Sequence, residues 1–162
     1  MKIAPLQENH YLQVAAIYSE GIMTRNATFE TEAPPWQTWD KNHLQHSRFV
    51  AEENGQVAGW AALTPVSGRC VYAGVAEVSV YVGEKFRGKG IGQSLLKELI
   101  LESEKNGLWT LQAGIFTENI SSIKLHEHCS FRKVGFREKV GTMDGVWRDI
   151  VLFERRSKTI GV

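Results

Sequence analysis

The chain has 162 residues, a formal charge of +1 and hydrophobic side chains at 43% of its positions, enough for one domain that buries its own core without disulfides or metal. Acidic and basic residues are mixed, so no basic block points to nucleic acid and no acidic tail to a basic partner. No apolar run is long enough to cross a bilayer, and the first residues lack a signal-peptide core.

Residues Lys2 to Leu6 predict a short strand, and the helical period of Tyr11, Leu12, Ala15, Ala16 and Ile22 predicts a helix after it. Residues 27–30 read as extended. Pro34 and Pro35 suit the first turn of a second helix running through Trp36, Trp39 and Leu44. Between the apolar runs 49–53 and 56–63, Asn54-Gly55 is a type I′ hairpin signal. Tyr72 to Val82 predicts the next strand, and Ile91 to Lys105 an amphipathic helix carrying Leu95, Leu96, Leu99 and Ile100. Residues 108–116 form a further strand after the helix-stopping Asn106-Gly107, and Asn119 caps a short helix to Cys129. Residues 131–140 and 146–153 close the chain as a strand pair around Asp144-Gly145. The order is βααβββαβαββ, seven strands and four helices. Strands that arrive in hairpins predict an α+β fold on a mixed, mostly antiparallel sheet.

The stretch most suggestive of chemistry is residues 87–92, Arg-Gly-Lys-Gly-Ile-Gly, between the strand and the amphipathic helix. Glycines let backbone approach a ligand, and a helix N-terminus offers unpaired N–H groups and a positive dipole end. Together they cradle an anion such as phosphate. Residues 83–90 nearly spell a Walker A loop, but Gly90 stands where the magnesium-binding hydroxyl belongs, so nucleotide hydrolysis is not expected. A dinucleotide-binding turn fails at Gln93, where a glycine is wanted. The pattern R-x-x-G-x-G is satisfied by Arg87, Gly90 and Gly92.

On that pattern the chain resembles the N-acetyltransferases of the GNAT superfamily. Within it the chain is similar to the phosphinothricin and methionine sulfoximine N-acetyltransferases, through residues 27–30, 77–82 and 87–92, Asn119 with Ser122, residues 125–127 and residues 144–149. The resemblance implies a three-layer acetyltransferase fold and acetyl-coenzyme A as co-substrate, with no metal. It also implies a small amino-acid-like primary amine as acceptor and a homodimer; the cytoplasmic setting is read from the cysteines. Cys70 and Cys129, far apart and without C-x-x-C spacing, fit a reduced compartment. Two departures stand out: Ala73 occupies a position that is commonly basic in the family, and Ser130 replaces a helix-ending glycine. Acetylation of a peptide or protein N-terminus, and a non-catalytic acyl-coenzyme A sensor, are the competing functions on the same fold.

By resemblance, Val80, Tyr81 and Val82 present backbone amides to the pantetheine arm. Arg87, Gly88, Lys89, Gly90, Ile91, Gly92 and Gln93 hold the pyrophosphate, and Asn119 adds a pantetheine contact to its role as helix cap. Glu77 is the expected general base, because a carboxylate on a central strand needs a reason and desolvation makes such a group more basic. His126 and Tyr81 compete as donors of a proton to the departing thiolate; the bland reading of His126 is packing. Phe29, Glu30, Arg69 and Tyr72 fall where the family meets its acceptor, and Trp147 falls near the pocket or a dimer contact. Ser121 and Ser122 lack a triad and Cys129 reads as an apolar filler, so attack by the amine is expected to be direct.

Overall fold

The computed structural model describes residues 1–162. The chain runs through β1 (Lys2–Pro5), α1 (Tyr11–Met23), α2 (Trp36–Asn42), β2 (Phe49–Glu53), β3 (Gln56–Pro65), β4 (Val75–Val82), α3 (Ile91–Lys105), β5 (Thr110–Phe116), α4 (Ile120–His128), β6 (Arg132–Met143) and β7 (Val146–Arg156). The predicted order of seven strands and four helices is met in full.

One seven-stranded sheet has the order β1-β2-β3-β4-β5-β7-β6, and only the β4–β5 pair is parallel. Alternation along β4 sends its two faces into different cores. Val78, Val80 and Val82 pack toward Ile91, Leu95, Leu96 and Leu99 of α3, while Tyr81 packs toward Tyr11, Val14 and Ile17 of α1. Helices therefore cover both faces of the sheet. Each fully buried leucine of the α3 stripe contributes roughly 1.5–3 kcal/mol by leaving water. Asn54 (φ 52°) with Gly55 (φ 77°), and Asp144 (φ 52°) with Gly145 (φ 77°), have the left-handed backbone of the two predicted I′ turns.

Several local expectations shift: α2 stops at Asn42, short of Leu44, β5 starts at Thr110 and β7 runs on to Arg156, and three larger departures have visible causes. Residues 27–30 form no strand; the Thr24 and Thr28 hydroxyls accept the Asn26 and Glu30 amides and fold the segment into turns. β4 starts at Val75 rather than Tyr72, because residues 70–72 make a 3-10 turn and Gly74 lies flat against the Trp109 indole. A Cβ on Gly74 would come within 2.1 Å of that ring. Last, β6 runs to Met143, past the expected end at Val140, by absorbing a bulge between Arg137 and Gly141.

Candidate active site

β4 and β5 pair over three residues only, Val75–Thr110, Ala76–Leu111 and Glu77–Gln112. Beyond them β4 stays on β3 as far as Val82, while β5 follows β7 from Ala113 to Phe116. The sheet splits at Glu77. The edge of β4 from residue 78 to 82 is left without a strand partner on its β5 side, which is what an extended ligand needs to hydrogen-bond like an added strand. The split opens a cleft of about 930 Å³.

One end of the cleft is the N-terminus of α3. Gly88 and Gly90 both have φ of 77°, and nothing lies within 4 Å of where a Cβ would stand on either. Gly90 caps α3 without a side-chain hydrogen bond, and the first amide bonded back to it is that of Ser94. The N–H groups of Ile91, Gly92 and Gln93 thus face the cleft end unspent. Arg87 lines the cleft, folded so that Nε reaches the Val82 carbonyl at 3.4 Å. It is the only lysine or arginine among the lining residues. Lys89 points elsewhere: its Nζ lies 3.4 Å from Glu53 and 5.5 Å from the centre of the Phe86 ring.

The other end is formed by the α1–α2 loop, α4 and the split itself. Glu77 lines it together with Phe29, Glu30 and Glu118. The carboxylate of Glu77 is exposed and accepts a hydrogen bond from Gln112 Nε2 at 3.2 Å. The expected partial desolvation is absent, since the side chain stands exposed at the cleft. Tyr81 lies on the same face of β4, stacked on Trp60 at 4.9 Å and edge-on to Tyr18 at 4.9 Å. Its ring presses on Gly21, where a Cβ would approach to 2.6 Å. Burial, then the neighbouring Tyr18, pushes its phenol far above the usual tyrosine range, with a Thr28 hydrogen bond pulling the other way. Tyr81 keeps its proton at any ordinary pH.

His126 lines the cleft wall with only 4% of its surface exposed. Its Nδ1 sits 2.7 Å from the Ser122 carbonyl, which makes Nδ1 the protonated nitrogen of a neutral ring. Burial lowers its pKa, against the Ser122 carbonyl that raises it. Nε2 is sealed from solvent with no partner, and Phe131 packs edge-on at 5.1 Å. That geometry opposes the expected acid role: one nitrogen is committed and the other cannot be reached.

Asn119 caps α4 through Oδ1, which accepts Ser122 N at 3.2 Å, while Nδ2 donates to the Asn26 carbonyl at 3.0 Å. Both ends of its side chain therefore have protein partners before any ligand arrives. Arg69 and Tyr72 do not line the cleft; they pack on each other on the 3-10 turn, guanidinium 5.4 Å from the ring centre. Trp147 is also outside it, 59% exposed on β7. Sequence reasoning assigned no role to Tyr18, Gln112 or Arg148. Each acts across the sheet or between distant loops, and no local sequence signal marks such packing.

Comparison with known proteins gives a consistent answer. The family described as the acetyltransferase (GNAT) family matches residues 15–131. An L-methionine sulfoximine/L-methionine sulfone acetyltransferase of Pseudomonas aeruginosa is 36% identical over 150 residues, covering 87% of this chain and 86% of the relative. Among solved structures, a ribosomal-protein-alanine N-acetyltransferase from Brucella melitensis superposes with a TM-score of 0.91 at 30% identity, over 97% of this chain and 100% of the other. A phosphinothricin acetyltransferase from Sinorhizobium meliloti, solved in complex with acetyl-CoA, gives 0.85 at 26% identity, over 99% and 95% of the two chains.

Proposed function

The chain belongs to the acetyltransferase (GNAT) family, and on that premise we propose that it moves the acetyl group of acetyl-CoA directly to the primary amine of a small amino-acid-like acceptor. The observation that carries this reading is the split of the sheet at Glu77, which brings an uncovered strand edge, an anion cradle and a carboxylate into one cleft. The residues present fit the donor: three unspent amides and Arg87 for the diphosphate, and the β4 edge for the amides of the arm. Bound acetyl-CoA supplies an activated thioester carbonyl and a thiolate leaving group.

Glu77 takes a proton from the acceptor ammonium, directly or through one water, so that the neutral amine attacks. An N–H of residues 80–82 on the open edge polarises the carbonyl oxygen. Tyr81, which lines the cleft on the same face of β4 as Glu77, is the proposed donor to the departing thiolate. Phe29 and Glu30 bound the acceptor, and the Glu30 carboxylate suits its cationic end. With no lysine or arginine at this end of the cleft, the acceptor's head group is met by hydroxyl and amide groups rather than by a cation. Holding both reactants in line supplies much of the acceleration.

Two further assignments belong to this reading. The β6–β7 ribbon ends the sheet and leaves Phe136 53% and Trp147 59% exposed, a surface suited to a second copy of the chain. The reduced cytoplasm is the compartment proposed, since acetyl-CoA is supplied there and both cysteines are free. The competing substrate, the N-terminal amine of a protein, is favoured by the name of the Brucella melitensis neighbour alone. Thiol release from acetyl-CoA against methionine sulfoximine, phosphinothricin, common amino acids, polyamines and alanine-starting peptides separates them. The proposal expects saturable turnover of amino-acid-like amines; turnover confined to peptides would replace it.

A further inference from the structure

Beyond the point where β4 and β5 part, the two halves of the sheet are no longer joined by strand pairing. On one face the α3 core spans both halves; at the loops of the cleft the polar bridge between them is Arg148 of β7. Its Nη1 donates to the Arg25 carbonyl at 2.7 Å, and its Nη2 donates to Asn26 Oδ1 at 2.8 Å and to Glu118 Oε2 at 3.2 Å. The guanidinium lies 4.2 Å from the centre of the Phe116 ring, and the side chain is only 12% exposed. Asn119 adds its own bond to the Asn26 carbonyl from the cap of α4. Phe29, further along the same loop, packs edge-on to Phe116 at 4.7 Å and against Gly141.

These contacts converge on one segment. Residues 24–30 have no regular structure, yet Thr24, Asn26, Thr28, Phe29 and Glu30 all line the acceptor end of the cleft. Arg25 is itself held in the left-handed region at φ 61°, a conformation that a non-glycine residue keeps only when its surroundings impose it. A planar guanidinium that satisfies two loop acceptors and one carboxylate while stacking on a ring imposes it well; a lysine ammonium lacks both the fork and the plane. The Glu118 carboxylate is held below the usual range, first by its own backbone amide and further by Arg148.

The geometry points to Arg148 as a positioning residue that latches the acceptor loop across the open sheet and so sets the width of the acceptor site. It touches neither the diphosphate cradle nor the β4 edge, so its larger effect falls on the acceptor loop. The inference rests on the acetyl-transfer reading of this cleft, and it predicts a division of labour that general destabilisation cannot mimic.

The test combines steady-state kinetics with hydrogen–deuterium exchange on the wild type, Arg148→Ala, Arg148→Lys and Asn26→Ala. For Arg148→Ala the KM for the accepted amine rises about tenfold or more, the loss of one charged hydrogen-bond set, while the KM for acetyl-CoA stays within about twofold. Arg148→Lys falls between. Asn26→Ala removes one latch acceptor without touching the arginine and shifts the amine KM in the same direction. Combining it with Arg148→Ala costs less than the product of the two. Exchange of the 24–30 amides speeds up in Arg148→Ala while that of β4 and α3 is unchanged. Proportional rises in both KM values, or unchanged exchange at 24–30, overturn the inference. Exchange needs no turnover, so it still judges the latch if no amine proves to be a substrate, a result that would count against the functional reading instead.

Discussion

A single carboxylate at the fork of two strands carries most of the proposed chemistry. Glu77 is the last residue of β4 that β5 pairs with, and it is exposed there, its carboxylate bonded to Gln112. Replacing it with glutamine keeps the shape and removes the base. Glu77→Gln is expected to lower kcat about 10²-fold or more with little change in acetyl-CoA affinity; equal losses in both would make the residue structural. Tyr81→Phe is the companion test. Removing a hydroxyl while keeping the stack on Trp60 should lower kcat and leave the fold intact, and unchanged turnover would remove Tyr81 from the reaction. Charge at the diphosphate end divides in the same way. Arg87 lines the cleft and Lys89 is tied to Glu53. By calorimetry Arg87→Ala should weaken acetyl-CoA about tenfold or more, the cost of a charge-assisted contact, and Lys89→Ala about twofold at most. The reverse ranking would contradict the site as drawn.

At the level of elements, what the sequence discloses follows from the range of the forces involved. The glycine pattern at 87–92, the leucine stripe of α3 and the two Asn-Gly and Asp-Gly turns are local signals, and the structure realises all of them. The late start of β4 was not legible, since it depends on Trp109, far along the chain, lying on Gly74. The role of Arg148 was hidden for the same reason, since its bonds to residues 25 and 26 span more than a hundred residues; the turns at 24–30 instead come from short-range Thr24 and Thr28 hydroxyl bonds that compete with an extended chain. His126 reads in sequence as either a proton donor or a packing side chain, because nothing local shows that its outer nitrogen is walled in. Ser130, where the resemblance implies a helix-ending glycine, is a case in which the local reading was sound. It takes φ of 67° to leave α4, a conformation that costs a side chain about 1–2 kcal/mol. Ser130→Gly should raise stability by about 0.5–1 kcal/mol after the greater freedom of unfolded glycine is subtracted, read as a higher melting temperature. A lower one would mean that the serine has a partner worth more than its strain.

The whole molecule is two halves of a sheet joined by a short parallel ladder and a latch, with a helix layer on each face. Its pH response follows from buried histidines. Burial lowers the pKa of both His43 and His126 from the ordinary 6.5. Below that value the unfolded chain takes up protons that the folded chain refuses, so stability falls as pH drops from about 6.5 toward the lowered folded values. The melting temperature should therefore decline between pH 7.5 and 5.5. The decline should be shallower in His126→Asn, which can still donate to the Ser122 carbonyl without titrating. Identical slopes would contradict a buried neutral ring. Assembly is read by sedimentation: a dimer that Trp147→Lys converts to monomer supports the β6–β7 contact, and a monomeric wild type refutes it. The most direct test of the central claim is a crystal structure with acetyl-CoA soaked in. The account predicts the diphosphate on the amides of residues 91–93 beside Arg87, the arm along residues 80–82, and the acetyl carbon within reach of Glu77. A coenzyme bound elsewhere, or a cleft that stays empty at saturating concentration, would contradict it.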